Sequence, residues 1–114
     1  MRISQLEAIA AGGGRIALWG WGREGRAAWR AIRNRAPALP LTLFCNTDEA
    51  SDAATLGDPL LTCDTGIDAA RLSACAVVVK SPGISPYARV AMAAAAQGTQ
   101  FVGGTALWFA TRAA

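Results

Sequence analysis

Histidine is absent from this 114-residue chain. That removes the commonest general base near neutral pH and the imidazole on which most zinc sites depend. The three cysteines, Cys45, Cys63 and Cys75, are odd in number, and no two stand at C-x-x-C spacing. A disulfide framework is not expected; reduced thiols packed in a core are. Charged side chains make up only 17% of the chain, and the formal net charge of +3 comes mostly from scattered arginines. With no lysine-rich run and no interleaving of basic and aromatic residues, nucleic acid is not an expected partner. No apolar run reaches the ~18–20 residues of a membrane span. Ala91–Ala96 is apolar but short, and Gln97-Gly98 bounds it. No signal peptide opens the chain, so a cytoplasmic location is expected and a membrane is not. The acids are scattered in loops and no G-x-x-x-x-G-K-[ST] occurs, so neither catalytic residues nor a metal site are expected.

What is present is apolar mass and glycine. Apolar residues account for 53% of the chain, enough for one globular domain that buries roughly two-thirds of its unfolded surface. Ile16-Ala17-Leu18-Trp19 runs into Gly20-Trp21-Gly22-Arg23-Glu24-Gly25. This is an apolar strand entering G-x-G-x-x-G and then a helix, the arrangement of a phosphate-binding turn. The first glycine permits the turn, the second lets backbone approach a pyrophosphate, and the third lets helix pack on strand. Backbone N–H groups around Arg23 and Glu24 would hold the anion, with the Arg23 side chain adding a cation. Glu24 is an awkward neighbour for a pyrophosphate, and its side chain is expected to point away. A glycine-rich connection without a ligand has the same pattern.

The rest of the chain alternates strand and helix. Met1–Ala10 is a short amphipathic lead with Ile3, Leu6 and Ile9 at helical spacing, broken by Gly12-Gly13-Gly14. The first long helix spans Arg23 or Glu24 to about Arg35, with Ala28, Trp29 and Ile32 inward and Arg26, Arg30 and Arg33 as a solvated basic row. Leu41–Cys45 reads as the second strand and Asn46–Glu49 as a polar loop, while Ser51–Asp58 is ambiguous and compatible with one helical turn. Leu60–Thr62 is a short strand, Ile67–Ala74 a short helix, and Ala76–Lys80 a β-branched strand. Ser85 suits an N-cap with Pro86 as first helical residue, for a helix to Gln97 closed by Gly98. Gln100–Val102 is the fifth strand, and Thr105 caps a last helix over Ala106–Arg112. The sum is an α/β, Rossmann-like open parallel sheet of about five strands with helices on both faces. Ligands of such sheets bind at the carboxyl ends of strands, at the topological switch point. That point falls between the first and fourth strands if the second and third lie to one side. The glycine loop then faces Ser81-Pro82-Gly83.

Two further loops carry candidate residues. Asn46 lies 21 positions after Gly25, where dinucleotide-binding domains place an acid on the ribose. An amide offers a donor and an acceptor and suits a nucleobase edge or a sugar; it equally suits a turn residue bonded to its own backbone. Ser81-Pro82-Gly83 makes a rigid turn whose N–H groups can reach the same phosphates, or a simple strand-to-helix turn.

These loops, in this order, resemble the N-terminal domain of the Mur ligases. The likeness rests on Gly20-Trp21-Gly22-Arg23-Glu24-Gly25, Cys45-Asn46-Thr47-Asp48, Ser81-Pro82-Gly83-Ile84 and Gly103-Gly104-Thr105-Ala106-Leu107-Trp108-Phe109. It covers nearly the whole chain, and Ser-Pro-Gly-Ile is its most specific part. It implies a domain that holds the UDP moiety of UDP-N-acetylmuramoyl-L-alanine. Diphosphate contacts would fall on Arg23, Glu24 and Gly83 and uracil contacts on Asn46 and Thr47, with Gly22, Gly25, Ser81 and Pro82 completing the expected UDP-binding set. The resemblance also implies ATP and magnesium on a central domain, an acyl phosphate formed there, and glutamate held by a C-terminal domain. Residues 1–114 would then be a single substrate-binding domain, with no cofactor of its own and no ligase activity alone. Trp108 and Phe109 would face a missing neighbour. Three departures mark a divergent branch, with L- or D-glutamate left open: Asn46 where Asp is usual, Asp48 where a basic residue is common, and the Gly-Trp-Gly-Arg-Glu-Gly loop itself. The alternatives are an NAD(H)-binding regulatory module and the cofactor domain of a dehydrogenase. Neither accounts for Asn46 together with Ser81-Pro82-Gly83.

Overall fold

The computed structural model describes residues 1–84 and 88–103. Ten elements follow in order: α1 (Ile3–Ala11), β1 (Ile16–Trp19), α2 (Arg23–Arg35), β2 (Leu41–Phe44), α3 (Thr47–Ala54), β3 (Leu61–Asp64), α4 (Ala69–Ser73), β4 (Val77–Lys80), α5 (Arg89–Ala96) and β5 (Gln100–Gly103). The strands form one sheet in the order β3-β2-β1-β4-β5, and every pairing is parallel. β1 is central, with Leu18 opposite Leu43 on one side and Val79 on the other. The expected α/β architecture and its switch point between β1 and β4 are both present.

Side chains alternate across the sheet, as period 2 requires. Ile16, Leu18, Leu41, Leu43, Val77 and Val79 join Ile3 and Leu6 of α1, Ala28, Ala31 and Ile32 of α2 and Ala53 of α3 in one cluster. Ala17, Phe44 and Val78 join Leu72 of α4 and Ala94 of α5 in the other. Both faces are covered, which is why the strands read as continuous apolar runs.

Four local expectations are revised. Asn46–Glu49 is no loop: Asn46 is the N-cap of α3, and Asn46 and Glu49 form a reciprocal capping box. The turn foreseen after Ser51 is the second half of that eight-residue helix. Arg33 is not a solvated row residue. Its side chain is 13% exposed and pairs with Asp58 at 2.7 Å, while Trp29 Nε1 donates to the same oxygen at 2.9 Å. Arg26 likewise pairs with Asp52. α5 begins at Arg89, with Ala88 as its N-cap; the cap expected at Ser85-Pro86 and the helix expected over residues 106–112, with Trp108 and Phe109, lie outside the described residues.

Candidate functional site

Three loops meet at the carboxyl end of the sheet because their roots are bonded to neighbouring strands. Gly20 N–H donates to Phe44 O at 2.9 Å, and Ser81 N–H donates to Trp19 O at 3.0 Å. The loops after β1 and β4 are in close contact. Gly20 has φ +98°, and a Cβ built there would lie 2.6 Å from Ser81 Oγ. At Gly25 a Cβ would lie 2.3 Å from the Gly20 carbonyl oxygen, so α2 rests on the turn itself. Gly20 and Gly25 are thus demanded by the fold. Gly22 differs: it is the N-cap of α2 with ordinary φ −85°, and its Cβ would meet no protein atom within 4 Å. The side of the loop open to an incoming group is the side of Gly22.

Arg23 and Glu24 open α2 and are exposed. Glu24 borders the crevice between the β1 and β4 loops together with Gly25, Ala28, Val79, Lys80 and Ser81. On the outer side, Trp21, Gly22, Arg23, Arg26, Ala27 and Arg30 line a groove of about 550 Å³. The Ser81–Ile84 segment is a tight turn, with Ile84 N–H donating to Ser81 O at 3.1 Å and Lys80 Nζ donating to Ile84 O at 2.8 Å. Pro82 and Gly83 are exposed at its tip. Ser81 Oγ is shut from solvent with no hydrogen-bond partner among the described residues, a hydroxyl left over at the junction of the two loops.

The end of β2 is built differently. Asn46 Oδ1 accepts from Glu49 N–H at 2.8 Å, the helix-capping role of an Asn in this position. Glu49 Oε1 accepts in return from Asn46 N–H at 3.0 Å, and Glu49 Oε2 accepts from Trp21 N–H at 3.2 Å. Trp21 is buried, its indole Nε1 donating to Asp52 at 2.9 Å, with the Arg26 guanidinium 5.8 Å from its ring centroid. Thr47 is the exposed first residue of α3. Behind this loop, burial first, and then the neighbours Cys63, Glu49 and Asp64, push the Cys45 thiol up to about 11. At neutral pH it is a protonated thiol, in keeping with a packing role.

The glycine loop and the Ser81–Gly83 turn therefore touch, and Asn46 and Thr47 reach the glycine loop through Glu49. Glu49, Trp21 and Asp52 were not among the residues singled out from sequence. The signal for Glu49 was present as Asn46-x-x-Glu49, a capping-box spacing. Nothing local marks Asp52, whose partners stand 26 and 31 residues away.

No model of a known protein family matches the chain. Individual curated proteins do. The chain is 61% identical over 113 residues to the UDP-N-acetylmuramoyl-L-alanine–L-glutamate ligase of Xanthomonas campestris, a match covering 99% of this chain and 23% of the relative. The enzyme of the same name from Xylella fastidiosa strain Temecula1 is 56% identical over the same shares. That of Salinispora tropica is 40% identical over 124 residues, covering 100% of this chain and 25% of the relative. The chain thus spans about a quarter of the length of the curated relatives it matches. Similarity at this level runs over essentially every residue: the chain is homologous to a segment of the UDP-N-acetylmuramoyl-L-alanine–L-glutamate ligases.

Proposed function

We propose that this chain is the uridine-nucleotide-holding domain of a ligase that joins L-glutamate to UDP-N-acetylmuramoyl-L-alanine. The observation that carries the reading is the 61% identity, over 99% of the chain, to a protein of that name. The glycine loop would hold the diphosphate through the N–H groups of Gly22, Arg23, Glu24 and Gly25, at the positive end of α2. The Ser81-Pro82-Gly83 turn, exposed at Pro82 and Gly83, would close on the diphosphate from β4. Asn46 and Thr47 would meet the uracil; with its Oδ1 engaged by the cap, Asn46 would offer its Nδ2 donor.

ATP, magnesium and glutamate belong in this reading to the rest of the ligase, about three-quarters of the relatives' length. Among the described residues no three His, Cys, Asp or Glu side chains converge on a point where a metal could sit. The segment would act as the first domain, binding substrate and presenting its carboxylate to chemistry performed elsewhere.

The test is a paired titration of the chain followed by NMR or calorimetry, with UDP-N-acetylmuramoyl-L-alanine or UDP in one arm and NADH in the other. Uridine ligands should shift the amides of Gly22–Gly25, Asn46, Thr47 and Gly83, and NADH should not. Binding of NADH alone would overturn the reading in favour of a dinucleotide module. Gly22→Ala sharpens the test. Its methyl meets nothing within 4 Å beyond its chain neighbours, so the chain should still fold, at the modest cost of an alanine N-cap, while uridine-nucleotide affinity falls.

A further inference from the structure

The Glu49 carboxylate does two jobs at once. Through Oε1 it accepts from Asn46 N–H at 3.0 Å and completes the capping box of α3. Through Oε2 it accepts from Trp21 N–H at 3.2 Å, across 28 residues of sequence. Trp21 lies inside the glycine loop, one position before the N-cap of α2. A single anion therefore ties the loop assigned to the diphosphate to the loop assigned to the base. Capping alone requires one oxygen, not two. Asp52, three residues on and on the same side of α3, holds the Trp21 ring, so α3 grips the glycine loop by backbone and by side chain.

The consequence is geometric. A ligand that spans both loops gains from a fixed separation, because its two ends then bind without further ordering of the protein. A ligand that touches one loop gains nothing. We infer that Glu49 is a positioning residue: it sets the distance between the glycine loop and the Asn46 loop and so gives the site its preference for a nucleoside diphosphate over a bare diphosphate. This rests on the uridine-nucleotide reading above.

The two oxygens can be separated chemically. Glutamine keeps one carbonyl oxygen and serves in a capping box as glutamate does. Its Nε2 only donates, so it cannot accept from Trp21 N–H. Glu49→Gln therefore cuts the tether and spares the helix, while Glu49→Ala removes both bonds.

The experiment is an NMR titration of the isotope-labelled chain, wild type and both variants, with UDP and separately with inorganic pyrophosphate, alongside thermal melts. In Glu49→Gln the Trp21 amide should move upfield and exchange faster with solvent, and the melt should follow the wild type. UDP affinity should fall about tenfold, the loss of one charge-assisted hydrogen bond, while pyrophosphate affinity changes less than about twofold. Glu49→Ala should lose UDP affinity at least as far and melt earlier. Equal weakening toward both ligands, or an unchanged Trp21 amide, overturns the tether. So does wild-type UDP affinity in Glu49→Gln, with the uridine reading left standing. If the wild type fails to bind UDP, the uridine reading falls and the ligand preference falls with it.

Discussion

On one face of the sheet Ile16, Leu18, Leu41, Leu43, Val77 and Val79 meet α1, α2 and α3; on the other, Ala17, Phe44 and Val78 meet Leu72 of α4 and Ala94 of α5. The first face packs bulky aliphatic side chains, and polar links between α2 and the α3–β3 segment close its rim. Trp21 and Arg26 share Asp52, and Trp29 and Arg33 share Asp58. The second face sets Phe44, the largest of the fully buried side chains, and Leu72 beside the small Ala17 and Ala94. Its buried polar contact is Thr99 Oγ1, which donates within 2.9 Å of Cys75 O and 3.2 Å of Leu72 O. The first face is sealed at its rim by long polar side chains that reach between elements, whereas on the second a buried hydroxyl bonds two main-chain carbonyls. The candidate site inherits the difference. The glycine loop is held by the Gly20–Phe44 backbone bond and by the Glu49 and Asp52 side chains on Trp21, and the Ser81–Ile84 turn by backbone bonds and the Lys80 side chain.

The largest effect should come from emptying the first face. Leu43 is fully buried, and Leu43→Ala should cost about 2–5 kcal/mol in urea or thermal unfolding. Ala94 is enclosed in the second face, and enlarging it should hurt next. Ala94→Leu, at a position with 0% exposure, should cost about 1–3 kcal/mol. Ala27→Leu on the exposed side of α2 should stay within about 0.5 kcal/mol. Equal tolerance at Ala94 and Ala27 would mean that α5 is not tightly packed on the second face.

The polar rim should show a smaller, pH-dependent effect. Burial pushes the Asp58 carboxyl up, but hydrogen bonds from Arg33, Trp29 and the Leu60 N–H, with the charge of Arg33, together hold it below the ordinary 3.8. A depressed carboxyl stabilises the fold above that value and loses its contribution as pH falls through the folded-state value. Asp58→Asn should therefore cost about 1–2 kcal/mol at neutral pH, and the gap to wild type should narrow below about pH 4. A constant gap would mean that Asp58 acts by shape alone. Least affected should be Cys45. With its thiol near 11, it should resist iodoacetamide at about pH 7.5 while a free thiol of ordinary pKa reacts, and Cys45→Ser should leave the site's amide shifts in place.

Much of this fold can be read from single residues and their neighbours. Ile16–Trp19 and Val77–Lys80 are too apolar for half-exposed strands, which predicts a covered parallel sheet and hence a switch point beside the first strand. The structure has both. Asn46 shows where local reading falls short. The same residue suits a base edge, a ribose or a helix cap, and the structure gives it the cap. The arginine row shows it again. Spacing alone gives Arg26 and Arg33 a common face, but their acids stand 26 and 25 residues on, and nothing in the sequence says which Asp a given Arg meets.

The sequence by itself determined the order of strands and helices, the glycine loop at the head of the second helix and the kinship of the chain, because hydrophobic period and turn chemistry are local properties. Only the tertiary structure decided that Glu49 joins two loops, that Trp21 is a buried anchor and that Gly22, unlike Gly20 and Gly25, has open space beside it. Those depend on atoms brought together from distant parts of the chain, where hydrogen-bond reach and van der Waals contact, rather than sequence spacing, set the outcome.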